Sequence, residues 1–363
     1  MRQANTNTRI NNSAQVLQER INAQFYPPRL GQDLISHLLR EEYGLIGRVH
    51  HLSGEREQNF LLQQDDEDRY VVKIFRHDDA PGMIEIQTRA LQNIKAGLPQ
   101  IPVPAVRKTL SGEAIFRCEA AGEGTLEIRV LEYLEGYPIE AGATPSPVLA
   151  EDAGKLVGTV TRRLGQLRHG RIEAFMPWDV SNRLLGDPSF WSLGGADMGR
   201  YESRLRQAYS DILPALLRQR THLIYNDAHL GNLLRLSDDA GDVSGLIDFG
   251  DMVHAPIICD VAILALGFAE NAADPATLAA AAVSGYHSAY PLLSREVDMI
   301  CDLMIARQAL SILLFDIKLN EPRLFSDGLV KARAGLMDGL DRLLDIDKAQ
   351  FTSVIRDACG LRG

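Results

Sequence analysis

The spacing of apolar residues changes along the chain from helical to strand-like and back to helical. Leu17, Ile21 and Phe25 recur at every fourth position, which predicts a short amphipathic helix that ends before two prolines. A second helical stretch ends at Gly44. After Gly44, alternation of apolar and polar residues indicates strands, with one helix among them. The strands are expected at 60–62, 70–75, 114–118 and 125–134, and the helix at 83–97.

A segment rich in glycine and proline separates this region from a longer helical one. Five such residues between positions 136 and 147 interrupt both periodicities, as expected of a linker. The chain is therefore expected to have an α+β fold of two lobes. It would comprise a polar N-terminal extension with a short helix (1–30), a β-rich lobe (31–134), a hinge (131–136) and a mostly helical lobe (135–363). The predicted helices of the last lobe are 148–167, 197–219, 256–268, 275–289, 295–318 and 327–344.

Composition and charge exclude several classes of protein. The 363 residues carry 38 Lys and Arg against 48 Asp and Glu, a formal net charge of −10, and no basic stripe that would bind nucleic acid is visible. The longest apolar run, 261–269, is too short to span a membrane, and the polar first residues do not resemble a secretory signal. The four cysteines are scattered without a C-x-x-C pair, so neither a zinc site nor a disulfide framework is expected, and a reducing cytoplasm is the simplest location.

Residues suited to phosphoryl transfer lie in the segment 221–251. Asp227 follows a short apolar run, Asn232 comes five positions later, and Asp248 opens Asp-Phe-Gly after a predicted hairpin. Either motif alone is weak, because Asp and Asn are common in loops. Together they provide a carboxylate for the proton of an attacking hydroxyl and two oxygen ligands that can hold Mg²⁺ against the phosphates. We therefore assign Asp227 as the catalytic base, with Asn232 and Asp248 as metal ligands.

The β-rich lobe offers groups for the phosphates themselves. Lys73 lies in the alternating strand YVVKIF, and a buried lysine is costly unless it is paired. Glu85, early in the next helix, is predicted to be its partner. The Ser53-Gly54 turn stands where a phosphate-covering loop belongs, although its single glycine fits an ordinary hairpin turn equally well.

These stretches resemble the aminoglycoside phosphotransferase and choline kinase group, which has the protein-kinase fold and phosphorylates hydroxyls of small molecules. The resemblance spans roughly residues 30–320 and is greatest to the hydroxylysine kinase-like branch, through EREQNFLL, YVVKIF with MIEIQTRAL, and GLIDFGDMVHAPIICDVAI. It implies a Mg²⁺-dependent kinase with ATP or GTP as donor. The nucleotide is expected between the lobes, under the Ser53-Gly54 turn and against the hinge residues Glu132 and Leu134. Carried over by position, the resemblance implies the roles given above for Asp227, Asn232, Asp248, Lys73 and Glu85.

The chain departs from this group directly before the catalytic aspartate. Tyr225-Asn226 stands where the group usually has His-Gly or His-Asn. We expect the Tyr225 ring to pack beneath the loop as a scaffold. We expect this departure to affect which acceptor the protein binds more than the phosphoryl-transfer step itself.

Four residues are candidates for binding the acceptor, each with a structural alternative. His229 could contact phosphate or lie in a surface loop, and Asp251 could meet an ammonium group. Asp179 could line the acceptor pocket or act as a cap. Arg307, in an apolar helix, could bind a carboxylate in bidentate fashion or form a structural salt bridge. Asp260 is expected to cap or anchor the helix that it opens.

The sequence therefore predicts an enzyme that transfers the γ-phosphoryl group to a hydroxyl of a small amino alcohol or hydroxy amino acid, with hydroxylysine first. Homoserine, choline, ethanolamine and aminoglycosides remain alternative acceptors, because all are cationic or zwitterionic alcohols. A catalytically silent nucleotide-binding module is the alternative of a different class. A protein kinase fits less well, since no Ala-Pro-Glu segment follows Asp248.

Overall fold

The computed structural model describes residues 14–65, 68–77, 82–141, 144–168, 175–270 and 272–361. The chain divides into two compact units. The sheet unit comprises residues 23–135 and 167–174, and the helical unit comprises residues 1–22, 136–166 and 175–363. The start of the predicted polar extension, residues 1–13, lies outside the described residues.

The described part of the sheet unit contains a six-stranded antiparallel sheet. The strands pair in the order β1-β2-β3-β6-β4, and β5 also pairs with β6. Two α-helices and a short 3-10 turn (Ala23–Phe25) complete the unit. The bounds are β1 Arg48–Leu52, β2 Gln58–Gln63, β3 Arg69–Arg76, β4 Val106–Arg107, β5 Phe116–Ala120, β6 Gly124–Glu132, α2 Gln32–Tyr43 and α3 Met83–Gly97.

The two faces of this sheet differ in chemistry. Val72 and Ile74 of β3 are fully buried in a core that includes the apolar side of α2. Because side chains alternate along a strand, Lys73 points to the opposite face. Arg129, the partner of Lys73 in the β3–β6 register, shares that face and contacts α3. The alternating pattern thus places two cations on the α3 side of the sheet.

The helical unit contains most of the helices and two small sheets. In one sheet the order is β10-β9-β7, and in the other β11 pairs with β8. Short 3-10 turns occur at Ile139–Ala141, Leu184–Gly186 and Met198–Arg200. The helices are α1 (14–22), α4 Pro147–Leu164, α5 Pro188–Trp191, α6 Glu202–Leu216, α7 Ile258–Ala269, α8 Pro275–Ala289, α9 Ser294–Val297, α10 Ile300–Leu319, α11 Asp327–Leu344 and α12 Lys348–Ala358, and the strands are β7 Tyr137–Pro138, β8 Thr221–Ile224, β9 Leu233–Arg235, β10 Gly245–Leu246 and β11 Val253–Pro256.

Two glycines allow α4 and α8 to touch backbone to backbone. A β-carbon on Gly285 would lie 1.9 Å from the carbonyl oxygen of Glu151, and one on Gly154 would lie 2.0 Å from that of Ala282. Any side chain at these positions would push the helices apart. This close contact fixes the position of α4, which carries Thr161 in its last turns.

The structure confirms the predicted fold class and most of the predicted elements. One predicted helix, 295–318, is two helices, α9 and α10. The hairpin predicted before Asp248 is the β9–β10 pair. The other short strands of the helical unit were not predicted, because strands of two to four residues leave little periodicity to detect. All four cysteines are free thiols. Within the described ranges, no helix has both the length and the apolarity needed to cross a bilayer.

Candidate active site

Two short strand pairs place the predicted catalytic residues of the helical unit. Strand β8 leads into the loop that carries Asp227, and β9 begins directly after Asn232. Asp248 follows β10, the antiparallel partner of β9. The Ile247 amide donates to the carbonyl of Asn232 at 3.0 Å, which holds the second loop against the first. Residues distant in sequence are thus joined through the backbone.

The Asp227 carboxylate is held by three neighbouring side chains. Asn232 Nδ2 donates to Asp227 Oδ2 at 2.6 Å, and Arg307 Nη2 lies 3.5 Å from Asp227 Oδ1. His229 Nε2 lies 3.6 Å from Oδ2. Burial raises the pKa of the Asp227 carboxyl, but His229 and Arg307 outweigh burial and leave that pKa below its ordinary value. The group is therefore ionised at neutral pH and can accept a hydrogen bond from a hydroxyl.

Asn232 and Asp248 have the chemistry of a magnesium site. Asn232 uses its amide nitrogen toward Asp227, so its amide oxygen is the atom left for a cation. Asp248 Oδ1 accepts from the Gly250 amide at 3.0 Å, and its backbone φ of 54° is the kind of local strain that occurs at functional sites. Among the described residues, no three His, Cys, Asp or Glu side chains form a metal cluster. One carboxylate and one amide oxygen, completed by phosphate and water oxygens, fit Mg²⁺.

Asp260 anchors the catalytic loop. Its Oδ1 accepts from the Asn226 amide at 2.5 Å, and its Oδ2 accepts from the Tyr225 amide at 3.1 Å and from Thr161 Oγ1 at 2.8 Å. Asn226 has a φ of 64°, which needs such support in a residue other than glycine. Asp260 was expected to anchor its own helix α7. It instead anchors the loop that presents Asp227.

Tyr225 fills the space beneath both loops, as expected from the sequence. The ring is fully buried and meets Phe249 edge to face, with centroids 5.0 Å apart. Its hydroxyl donates to the carbonyl of Ile247. The residue that replaces the usual histidine therefore joins the Asp227 loop to the Asp248 loop.

Burial raises the pKa of Asp260 to about 6, against opposing hydrogen bonds from the two backbone amides and Thr161. The ordinary pKa of an aspartate carboxyl is 3.8, so between about pH 4 and 6 the native state binds more protons than the unfolded state. As the pH rises from 4 to 6, we expect Asp260 alone to lower the free energy of unfolding by roughly 2 kcal/mol. Urea unfolding at pH 4, 5 and 6 measures the slope of the free energy of unfolding against pH, which Asp260→Asn should flatten. Equal slopes in the variant and the wild type would contradict the assignment.

The four acceptor candidates differ in their surroundings. Asp179 Oδ1 accepts from the amide and the hydroxyl of Ser181, at 2.8 and 2.7 Å, which closes a turn within its own loop. Arg307 donates to the carbonyl of Trp178 and faces Asp227, so it holds the Asp227 carboxylate. Asp251 is buried in the turn that follows Asp248, and the His229 side chain is 46% exposed.

Lys73 has a different partner from the one predicted. Its Nζ lies 2.5 Å from Glu57 Oε1, and both side chains are less than 10% exposed. The predicted pairing with Glu85 is wrong, since Glu85 is 58% exposed and contacts Arg117 at 2.7 Å. The reason is the rotation of α3 about its axis, which turns Gln87 rather than Glu85 toward the sheet. Sequence reasoning missed Glu57, although it lies in the quoted stretch EREQNFLL.

The remaining nucleotide candidates lie at two ends of the sheet. Asn59 Nδ2 donates to the carbonyl of Ser53 at 3.1 Å, which closes the predicted turn. A β-carbon on Gly54 would lie 2.2 Å from the carbonyl oxygen of Glu57, so only glycine fits there. Glu132 ends β6 with an exposed side chain, and Leu134 follows it half-buried.

A sheet unit with a buried lysine, followed by a helical unit that presents Asp227, Asn232 and Asp248, defines a kinase of the protein-kinase-like fold, a phosphotransferase that acts on a hydroxyl group. The chain belongs to the phosphotransferase enzyme family, whose model matches residues 49–294. The resemblance drawn from the sequence is thereby confirmed.

Individual relatives support the same classification. A hydroxylysine kinase from Danio rerio is 26% identical over 335 residues, which cover 88% of this chain and 93% of the relative. Among solved structures, a microcompartment-associated aminopropanol kinase has a TM-score of 0.68 at 17% identity, covering 91% of this chain and 99% of the other. The amicoumacin kinase hAmiN, solved with AMP-PNP and Ca²⁺, has a TM-score of 0.64 at 16% identity, covering 93% and 96%. These likenesses show the fold.

Proposed function

We propose that this protein is a Mg²⁺-dependent kinase that transfers the γ-phosphoryl group of ATP to the hydroxyl of a small amino-bearing acceptor, with hydroxylysine first. The observation that carries the proposal is the geometry of Asp227, which is ionised and held between Asn232 and Arg307. Loose phosphoryl-transfer transition states require orientation and charge neutralisation more than covalent help. A fixed carboxylate beside two oxygen ligands serves both needs.

Each residue then has a defined task. Asp227 orients the acceptor hydroxyl and receives its proton as the hydroxyl oxygen bonds to the γ-phosphorus, while the bond from that phosphorus to the β–γ bridging oxygen breaks and ADP leaves. Asn232 and Asp248 would hold Mg²⁺, which neutralises charge on the phosphates when it is bound. Lys73 would bind phosphate oxygens in the sheet unit. The Ser53-Gly54 turn, Glu132 and Leu134 stay proposed as nucleotide contacts.

ATP is the proposed donor because the amicoumacin kinase of the same fold was solved with AMP-PNP. GTP, which the sequence resemblance also implied, has no support beyond that resemblance. Hydroxylysine is the first acceptor to test because a hydroxylysine kinase aligns with 88% of this chain. His229 and Asp251 are the proposed acceptor contacts, while Arg307 and Asp179 already serve neighbouring groups of the protein.

The acceptor is tested with purified protein, ATP and Mg²⁺, by coupled detection of nucleoside diphosphate release. We expect hydroxylysine to have a kcat/KM at least tenfold above that of homoserine, choline, ethanolamine or an aminoglycoside, a modest discrimination for polar contacts. Lysine is the matched control, because it lacks only the hydroxyl. With lysine, nucleoside diphosphate release should not exceed the rate measured without an acceptor. Mass spectrometry of the hydroxylysine product should show one added phosphoryl group.

Other outcomes would redirect or end the proposal. A preference for choline or ethanolamine would change the assigned acceptor but leave the enzyme a kinase of the same fold. Nucleotide-dependent thermal stabilisation without turnover on any acceptor would favour the silent nucleotide-binding module.

A further inference from the structure

The ion pair between Lys73 and Glu57 is buried and short. Lys73 Nζ lies 2.5 Å from Glu57 Oε1, and the two side chains are 8% and 7% exposed. Removing either charge from such a pair leaves the other uncompensated in a poorly hydrated place. The position of the lysine ammonium is therefore tied to the position of the Glu57 carboxylate.

The helix beside the sheet offers Lys73 no equivalent carboxylate. Its inward positions carry Gln87 and Thr88, whose side-chain oxygens lie 3.3 and 3.4 Å from the Arg129 guanidinium. Arg129 is the cross-strand neighbour of Lys73 on β6. Glu85 points outward to Arg117. The helix α3 thus offers neutral oxygens on this side of the sheet. Glu127 of β6, a buried carboxylate on the same face, contacts Arg117 at 2.8 Å.

Strand register explains why the carboxylate comes from the hairpin between β1 and β2. Asn59 of β2 is directly opposite Lys73 of β3. Directly opposite residues share a face of the sheet, and residues two apart on one strand do so as well. Glu57 lies two positions before Asn59, which makes it a diagonal neighbour of Lys73 on the same face.

The backbone around Glu57 is itself held on both sides. The side-chain carboxamide of Gln58 donates through Nε2 to the backbone carbonyl of Leu30 at 2.9 Å. Its Oε1 accepts from the backbone amide of Leu30 at 2.8 Å. Asn59 closes the turn onto Ser53, and Gly54 packs against the carbonyl of Glu57. The hairpin, the carboxylate and the lysine therefore form one connected assembly.

We propose that Glu57 is the positioning residue for Lys73, in place of a helix carboxylate. Through Glu57 the Ser53-Gly54 turn and the Lys73 ammonium are set together. The inference rests on the proposed function, because that function gives Lys73 its role in nucleotide binding. It predicts that ATP binding depends on Glu57 and not on Glu85.

The test compares E57Q with E85Q, the same chemical change at the two competing positions. In E57Q we expect the KM for ATP to rise at least tenfold, with a smaller change in kcat, and the ATP-induced increase in Tm to be lost. E85Q should stay within about twofold of the wild type, the scale of an exposed ion pair. E57D keeps the charge and should recover part of the ATP affinity, which a purely structural role would not predict. The Tm without nucleotide reports folding separately in each variant.

Two results would overturn the inference while leaving the proposed function intact. One is a wild-type KM for ATP in folded E57Q and E57D. The other is a loss of ATP affinity in E85Q as large as that in E57Q. A wild-type protein that neither binds ATP nor turns over any acceptor would overturn the proposed function together with the inference.

Discussion

Replacing Asp227 by asparagine is expected to lower kcat about a thousandfold, within the range for a general base, while the KM for ATP changes little. Asparagine has nearly the same shape, and its amide can still bond to Asn232, which now contacts Asp227 Oδ2 at 2.6 Å. It cannot take the proton of the acceptor hydroxyl. The charge that faces Arg307 at 3.5 Å would also be lost.

The measurement for Asp227→Asn is the initial rate of nucleoside diphosphate release at saturating ATP and acceptor. Asp238→Asn is the matched control, because it makes the same change on the β9–β10 hairpin, at a side chain that is 55% exposed. The control should retain the wild-type rate. A kcat within tenfold of the wild type in Asp227→Asn would show that Asp227 is not the catalytic base.

Replacing Asp248 by asparagine should give the second largest loss, about a hundredfold in kcat, with a higher Mg²⁺ requirement. The local backbone should survive, because asparagine tolerates the positive φ of 54° and its amide oxygen can still accept from Gly250. The change therefore removes mainly one negative charge from the proposed metal site. With only Asn232 as a second protein ligand, that charge should dominate Mg²⁺ affinity.

Rates measured as a function of Mg²⁺ concentration, at saturating ATP and acceptor, check this prediction. We expect the half-saturating Mg²⁺ concentration of Asp248→Asn to rise at least tenfold, while Asp238→Asn follows the wild-type curve. Wild-type turnover with an unchanged Mg²⁺ curve in Asp248→Asn would contradict the metal-ligand assignment.

The local pattern was sufficient for the fold class and for the order of most elements. Periods of two and of about 3.6 residues indicated the strands of the sheet unit and the long helices of the helical unit. Asp274 followed by Pro275 is typical of a helix start, and α8 begins there, with Asp274 bonded to Thr277. These signals depend on residues within a few positions of one another, so a single sequence contains them.

Which side chains pair across the structure could not be predicted in the same way. Lys73 pairs with Glu57 and not Glu85, because the rotation of α3 and the β2–β3 register together decide which carboxylate shares its face. Asp260 supports the Asp227 loop and not the start of its own helix, because α7 packs beside that loop.

By itself, the sequence determined that the chain has a β-rich region, a helical region and residues with the chemistry of a kinase. Only the tertiary structure decided which groups hold Asp227 and Lys73 in place. The physical reason is that element type follows from local backbone preference and periodic burial. Ion pairs and buried hydrogen bonds instead depend on distances between distant segments, which strand register and helix rotation set during packing.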